Sequence, residues 1–105
     1  LPKQLPQVKT SWLAFPLTIN SNAPFSRIEL VKHLESHGIQ TRPVFTGNVL
    51  RQPAFEKIDY KNIEKDYVVA NNIMKNSFLI GCNHGLNEMH LEKIKKTFKL
   101  FLDKF

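Results

Sequence analysis

The sequence predicts a small layered α/β (α+β) sandwich: a three-stranded, mainly antiparallel sheet with helices packed on it. β-prone apolar runs alternate with stretches of helical period in the order strand, helix, strand, helix, strand, helix. A chain of 105 residues with 42% hydrophobic content can bury one core without disulfides or metal. The run Ser77 to Cys82, S-F-L-I-G-C, is apolar enough to be a buried central strand, so it is expected to insert between the first two strands in a split β-α-β arrangement. An all-parallel sheet is the alternative, disfavoured because so short a chain could hardly cover both of its faces.

Residues 1–10, with Pro2 and Pro6 and no sustained periodicity, read as a linker or arm ahead of a single domain at 11–105. A start at Leu1 instead of methionine suggests a piece of something longer. Ser11 to Asn20 is β-rich, with Trp12, Ala14 and Pro16 on one face and Leu13, Phe15, Leu17 and Ile19 on the other. Pro16 cannot donate to a ladder and belongs on an edge strand or at a bulge. Ser26 as N-cap with Glu29 three residues on makes a capping box, and Phe25 can staple onto Leu30, together stabilising by about 1 kcal/mol or more. The first helix then runs from Arg27 to His37, buries Ile28, Val31 and Leu34, and ends at Gly38 in the left-handed C′ position.

Ile39 to Phe45 predicts the second strand, with Gln40, Arg42 and Val44 on one side and Ile39, Thr41 and Pro43 on the other. Val49 to Phe55 suggests a turn of helix. Ile63, Tyr67, Ala70, Ile73 and Met74 recur at helical spacing, which predicts a helix over Ile63 to Lys75, ended by Asn76, with that stripe in the core. The last helix starts at the N-cap Asn87 and carries Leu91, Ile94, Phe98, Phe101, Leu102 and Phe105 toward the sheet.

Several function classes recede on composition. No run approaches the roughly 18 apolar residues of a membrane span, and the first ten residues lack a signal peptide's apolar centre. Cys82 has no second cysteine to pair with and fits a reducing, cytoplasmic setting as a small residue at a strand end. The net charge of +6 gathers at Lys93, Lys95, Lys96, Lys99 and Lys104 on the last helix. The aromatics there fall on the apolar stripe, so the lysines read as a solvated face, not a nucleic-acid reader. His33 and His37 stand four apart but lack a third ligand at metal spacing, and are expected to face solvent.

The stretch Gly38 to Phe55, G-I-Q-T-R-P-V-F-T-G-N-V-L-R-Q-P-A-F, crowds Arg42, Thr46, Asn48, Arg51 and Gln52 among Pro43, Gly47 and Pro53. Long polar donors in one connection suit an anionic or hydroxyl-rich ligand or a partner surface, and equally an ordinary solvated loop. His84 follows the central strand and precedes a glycine, where a side chain can reach a cleft or simply be solvated. No phosphate loop and no complete catalytic constellation accompanies them.

That stretch, with S-W-L-A-F-P-L at 11–17 and F-S-R-I-E-L-V-K-H-L-E at 25–35, closely resembles the C-terminal part of DegT/DnrJ-type sugar enzymes. These are pyridoxal-phosphate (PLP) proteins of the aspartate-aminotransferase fold that act on nucleotide-linked 4-keto-6-deoxy sugars. G-N-V-L-R-Q-P and F-L-I-G-C-N-H-G-L at 78–86 resemble the 3-dehydratase branch of lipopolysaccharide synthesis more than the plain aminotransferases. The resemblance implies the small C-terminal domain of a fold-type I PLP enzyme, closing one wall of the active site of a cytoplasmic parent. PLP, with its phosphate cup, its pyridinium-facing carboxylate and a proton-moving lysine or histidine, would lie in a large N-terminal domain, and none would be bound by these residues. The implied partners are that large domain, a second subunit of a homodimer and a nucleotide sugar. Arg42 would meet a substrate anion or a donor carboxylate, Thr46 and Asn48 sugar hydroxyls or that carboxylate, Arg51 and Gln52 the nucleotide or the large domain. His84 would lie near the same cleft, and no catalytic residue falls in the chain. The alternatives are the same domain of a sugar-nucleotide aminotransferase and a free-standing basic binding module.

Overall fold

The computed structural model describes residues 2–60 and 67–105. Strands β1 (Ala14–Thr18), β2 (Thr41–Pro43) and β3 (Ser77–Gly81) form one sheet in the order β1-β3-β2, with β3 antiparallel to both neighbours. The apolar run is the central strand, as its composition predicts. Pro16 sits in the edge strand β1, opposite Leu79. Pairing of Phe15 and Thr41 with Ile80, and of Leu17 and Pro43 with Phe78, puts these side chains on one face. Helices α1 (Arg27–Ser36) and α3 (Glu88–Leu102) supply the rest of the core: Leu30, Leu34 and Phe101 are buried with Ile39, Phe78 and Ile80. The opposite face carries Ala14, Pro16, Leu79 and Arg42, none of them fully buried.

Both ends of α1 follow from local chemistry. The Ser26 N–H donates to Glu29 Oε2 at 2.7 Å and the Glu29 N–H to Ser26 Oγ at 3.3 Å, which closes the capping box. At the other end Gly38 N–H donates to Glu35 O and Ile39 N–H to Leu34 O, with Gly38 at φ 73°, a Schellman ending sealed by the Leu34 and Ile39 side chains in the core. These two anchors fix the helix rotation and correct the expected stripe: Leu30 is 3% exposed whereas Ile28 is 52% exposed. Leu13, grouped by alternation with Phe15, Leu17 and Ile19, is 89% exposed while those three pack against the core; pairing with β3 begins only at Ala14 opposite Gly81.

Helix α2 (Val68–Asn76) ends at Asn76 as anticipated, but residues 63–66 of the expected helix lie outside the described ones. Tyr67 stands in the left-handed region at φ 41°, so regular helix starts after it. No residue of α2 is buried, against the expectation of a core stripe: it leads into β3 at one end of the sheet instead of lying across the covered face. Helix α3 is capped reciprocally, His90 N–H to Asn87 Oδ1 at 3.2 Å and Asn87 N–H to His90 Nδ1 at 3.1 Å. Its stripe is buried at Phe101 and half-buried at Ile94 and Phe98, with Thr97 buried between them. Leu91, Leu102 and Phe105 stay exposed, although the Phe105 ring lies 5.2 Å from Phe25 and 5.4 Å from Phe101. His33 corrects another expectation: it is half-buried, its Nε2 lies 3.1 Å from Thr97 O and its ring 5.2 Å from Phe101, so it joins α1 to α3 while His37 faces solvent. Among the described residues no group of three metal-ligating side chains converges, and no helix is long and apolar enough to cross a membrane.

Candidate functional site

The Schellman ending of α1 turns the chain directly into β2 and so sets where Arg42 stands. Glu35, the penultimate residue of α1, accepts the Thr41 N–H at 2.5 Å and the Thr41 hydroxyl at 2.8 Å. These two bonds, the backbone one first, hold the Glu35 carboxyl below its ordinary value, with a smaller contribution from the nearby Arg42 charge. Thr41 turns into the core, so strand alternation sends Arg42 to the uncovered face, opposite Leu79. Its Nη1 donates to Thr41 O at 3.1 Å, and among the described residues the rest of the guanidinium fork has no hydrogen-bond acceptor.

Arg42 lines an open cleft of about 440 Å³ at one end of the sheet. Gln40, Asn83, His90 and Lys93 join it, over an apolar floor that includes Leu79 and Ile94. None of the lining residues is acidic, and Arg42 and Lys93 bring two cations. Because His90 Nδ1 accepts the Asn87 N–H, the neutral ring carries its proton on Nε2 and is a further donor. Such a cleft is suited to binding and orienting an oxyanion attached to an apolar or ring-shaped body.

The remaining loop residues separate from Arg42. Gly47 N–H donates to Val44 O to close a turn, with Phe45 at φ 45° and Gly47 at φ 67°. Thr46 and Gln52, tied by a 3.3 Å bond from Gln52 Nε2 to Thr46 O, line a second cavity of about 300 Å³ that also includes Arg27 and Met74. Asn48 is 4% exposed and points inward: its Oδ1 accepts the Leu50 N–H at 3.1 Å, and its Nδ2 donates to Asn71 Oδ1 at 2.8 Å. It thereby starts the first of two 3₁₀ turns, Val49–Arg51 and Pro53–Phe55, where a turn of helix was expected. Arg51 is exposed, with Nε 3.4 Å from the same Asn71 oxygen. His84 is exposed in the turn after β3; its neighbours Asn83 and Leu86 line the Arg42 cleft and it does not.

Arg27, Glu35, Asn71, His90 and Lys93 were not singled out from the sequence. Glu35 and Arg27 read there as ordinary helix residues, and Lys93 as one of a solvated row. The only sequence signal for Lys93 is its phase, one residue before Ile94 on the stripe, which puts it at the border of the buried face.

Comparison with known proteins adds what geometry alone does not supply. Residues 2–99 match the DegT/DnrJ/EryC1/StrS aminotransferase family. The lipopolysaccharide biosynthesis protein RfbH of Salmonella typhimurium is 35% identical over 96% of this chain, which spans 23% of RfbH. The dTDP-4-dehydro-2,6-dideoxy-D-glucose 3-dehydratase of Saccharopolyspora spinosa is 33% identical over 99% of the chain and 22% of its own length. Among solved structures, GDP-4-keto-6-deoxymannose-3-dehydratase with a trapped PLP-glutamate geminal diamine superposes with a TM-score of 0.63 at 30% identity, over 79% of this chain and 22% of that one. The chain thus spans a quarter or less of the length of the relatives it matches.

Proposed function

This chain belongs to the DegT/DnrJ/EryC1/StrS aminotransferase family, and on that premise we propose that it is the C-terminal small domain of a PLP-dependent sugar-nucleotide 3-dehydratase. The substrate class is a nucleotide-linked 4-keto-6-deoxy sugar, in cytoplasmic lipopolysaccharide or O-antigen sugar synthesis. The observation that carries the reading is the Arg42 cleft: a donor-rich concavity with no lining carboxylate at one end of the sheet, walled by β2, the end of β3 and the first turns of α3. Likeness to dehydratases named for dTDP and GDP sugars supports a nucleotide-sugar ligand and leaves the nucleotide open.

The residues of the cleft do not by themselves fit PLP. A pyridinium nitrogen needs a facing carboxylate, and no Asp or Glu lines the cleft. No step of cofactor chemistry is therefore assigned to this chain. Its share is positioning: Arg42 holds the substrate anion or a donor carboxylate, Thr46 and Gln52 face the ligand from the neighbouring loop, and Asn48 fixes that loop from beneath. Arg51 and His84, both exposed, meet the ligand's outer part or the large domain. The cofactor, the acid–base group, the large domain and a second subunit complete the site, and residues 1–10 are the arm leading to it.

The test is Arg42→Ala in the holoenzyme that carries this domain. Loss of a charge-assisted bond predicts a fall in kcat/KM for the sugar nucleotide of about 10- to 100-fold with the melting temperature unchanged. An unchanged kcat/KM removes Arg42 from the site, and transfer of an amino group onto the sugar by the same holoenzyme replaces the dehydratase with the aminotransferase.

A further inference from the structure

The lysines of α3 are used differently along the helix. Lys95 is ion-paired with Glu92 at 2.8 Å and Lys99 with Asp103 at 2.9 Å, both in solvent. Lys93 instead lines the Arg42 cleft, and among the described residues its ammonium group has neither an ion pair nor a hydrogen bond. Its Nζ lies over Gly38, 3.3 Å from where a Cβ on that glycine would stand, which places it at the turn leading from α1 into β2 and Arg42. His90, three residues earlier on α3, shares that helix face, and its bond from Asn87 N–H leaves Nε2–H as a neutral donor. Glu35, whose carboxyl senses the Arg42 charge, is bonded to Thr41 and does not line the cleft. Glu88 and Glu92 share with Lys93 a neighbouring groove that does not include Arg42, and Glu92 is committed to Lys95. The cleft therefore brings together two cations with no lining carboxylate to neutralise either.

We propose that Lys93 and Arg42 together hold the diphosphate of the nucleotide-linked sugar, with His90 Nε2–H as a further donor. A diphosphate diester carries one negative charge on each of two phosphoryl groups and so matches two cations. A single carboxylate would neutralise one of them and leave the other without a counter-charge. The apolar floor of Leu79, Leu86 and Ile94 then lies under an uncharged part of the same ligand. The inference rests on the proposed function for the substrate class and sharpens it: the cleft takes the phosphoryl end, and Lys93 selects that end over a carboxylate.

The Gly38 amide and the arginine Nε–H signals of the ¹⁵N-labelled chain report binding in titrations with inorganic pyrophosphate and, separately, sodium acetate, at constant ionic strength. Saturable movement of Gly38 and Arg42 with pyrophosphate, little movement of the exposed Arg51, and binding of acetate at least about tenfold weaker are expected. Lys93→Gln should raise the pyrophosphate dissociation constant at least about tenfold, and Lys93→Arg, which keeps the charge, should recover most of that loss. Lys104→Gln removes the same charge from the far end of α3 and should change the constant less than about twofold. Equal losses from Lys93→Gln and Lys104→Gln would reduce the effect to attraction by net charge. A Lys93→Gln chain that melts lower yet binds pyrophosphate like the parent would make Lys93 a cap on the C-terminal end of α1. Acetate binding as tightly as pyrophosphate would make the cleft a carboxylate site. Each of these three results overturns the proposal, as does absence of saturation with pyrophosphate. None involves holoenzyme turnover, so Arg42→Ala can still lower kcat/KM and sustain the proposed function where this inference fails.

Discussion

The two halves of this chain treat similar apolar residues in opposite ways. On the helix-covered side, Leu34, Phe78 and Phe101 are buried beneath α1 and α3. On the side formed by the polar loop and α2, Phe45 is 82% exposed, Val68 68% and Val69 71%. The first half is held by packing. The second is held by polar pins, Asn48 to Asn71 and Gln52 to Thr46, that shape a loop without burying it. Packing is therefore concentrated in one half, while the other leaves apolar side chains exposed among the described residues.

The sharpest way to break that comparison is to cut into each half. Phe78→Ala empties the middle of the core and should destabilise by about 3–5 kcal/mol, a large part of the stability of so small a domain. Val69→Ser on the open side should stay within about 0.5 kcal/mol. Urea denaturation of the two variants measures both. A comparable loss at Val69 would mean that the open side is packed in solution and that the two halves are not different in kind.

Gly47 tests the open half from within. A Cβ added there would collide with the Cα and Cβ of Met74, and the backbone is at φ 67°, where an L side chain is strained. Gly47→Ala is expected to destabilise by about 2 kcal/mol or to displace the loop from α2. Thermal melting, together with the Asn48 side-chain amide signals, separates these outcomes. Little effect on either would show that the loop does not rest on Met74.

The elements that were legible in the sequence are those fixed by short-range rules. Ser26 and Glu29 sit three apart and cap each other whatever lies beyond, Gly38 supplies the left-handed turn, and S-F-L-I-G-C is too apolar for an edge. The misreadings arose where a distant partner sets the answer. Ile28 and Leu30 are both apolar, and which one turns inward is set by how α1 docks on the core, with Leu30 and Leu34 buried against Phe78 and Phe101. The stripe on α2 has the period of a core helix but lies at the end of the sheet, where the described residues leave it uncovered. The polar stretch read as one cluster separates because Thr41 turns into the core and Arg42 out of it, while Asn48 is drawn inward by Asn71, twenty-three residues later. The composition of the site was visible in the sequence; its division into a cleft and a cavity depends on tertiary partners.

Glu35 ties the two halves together, and its titration gives the smallest and most specific test. Its carboxylate grips Thr41 from α1 and so sets the register from which Arg42 projects. Hydrogen bonds to the ionised form hold its folded pKa below the ordinary 4.5. A depressed acid contributes stability that is fully present above the unfolded value and is lost as pH falls through the folded one. Stability of the parent chain should therefore decline from about pH 4.5 downward, with Glu29, depressed by its bonds to Ser26, adding to the same decline. Glu35→Gln keeps an acceptor but cannot titrate, so its urea midpoint should be lower at pH 7 and fall less steeply in acid than that of the parent. If the two chains lose stability in parallel below pH 4.5, Glu35 is not the link between the packed face and the strand that carries Arg42.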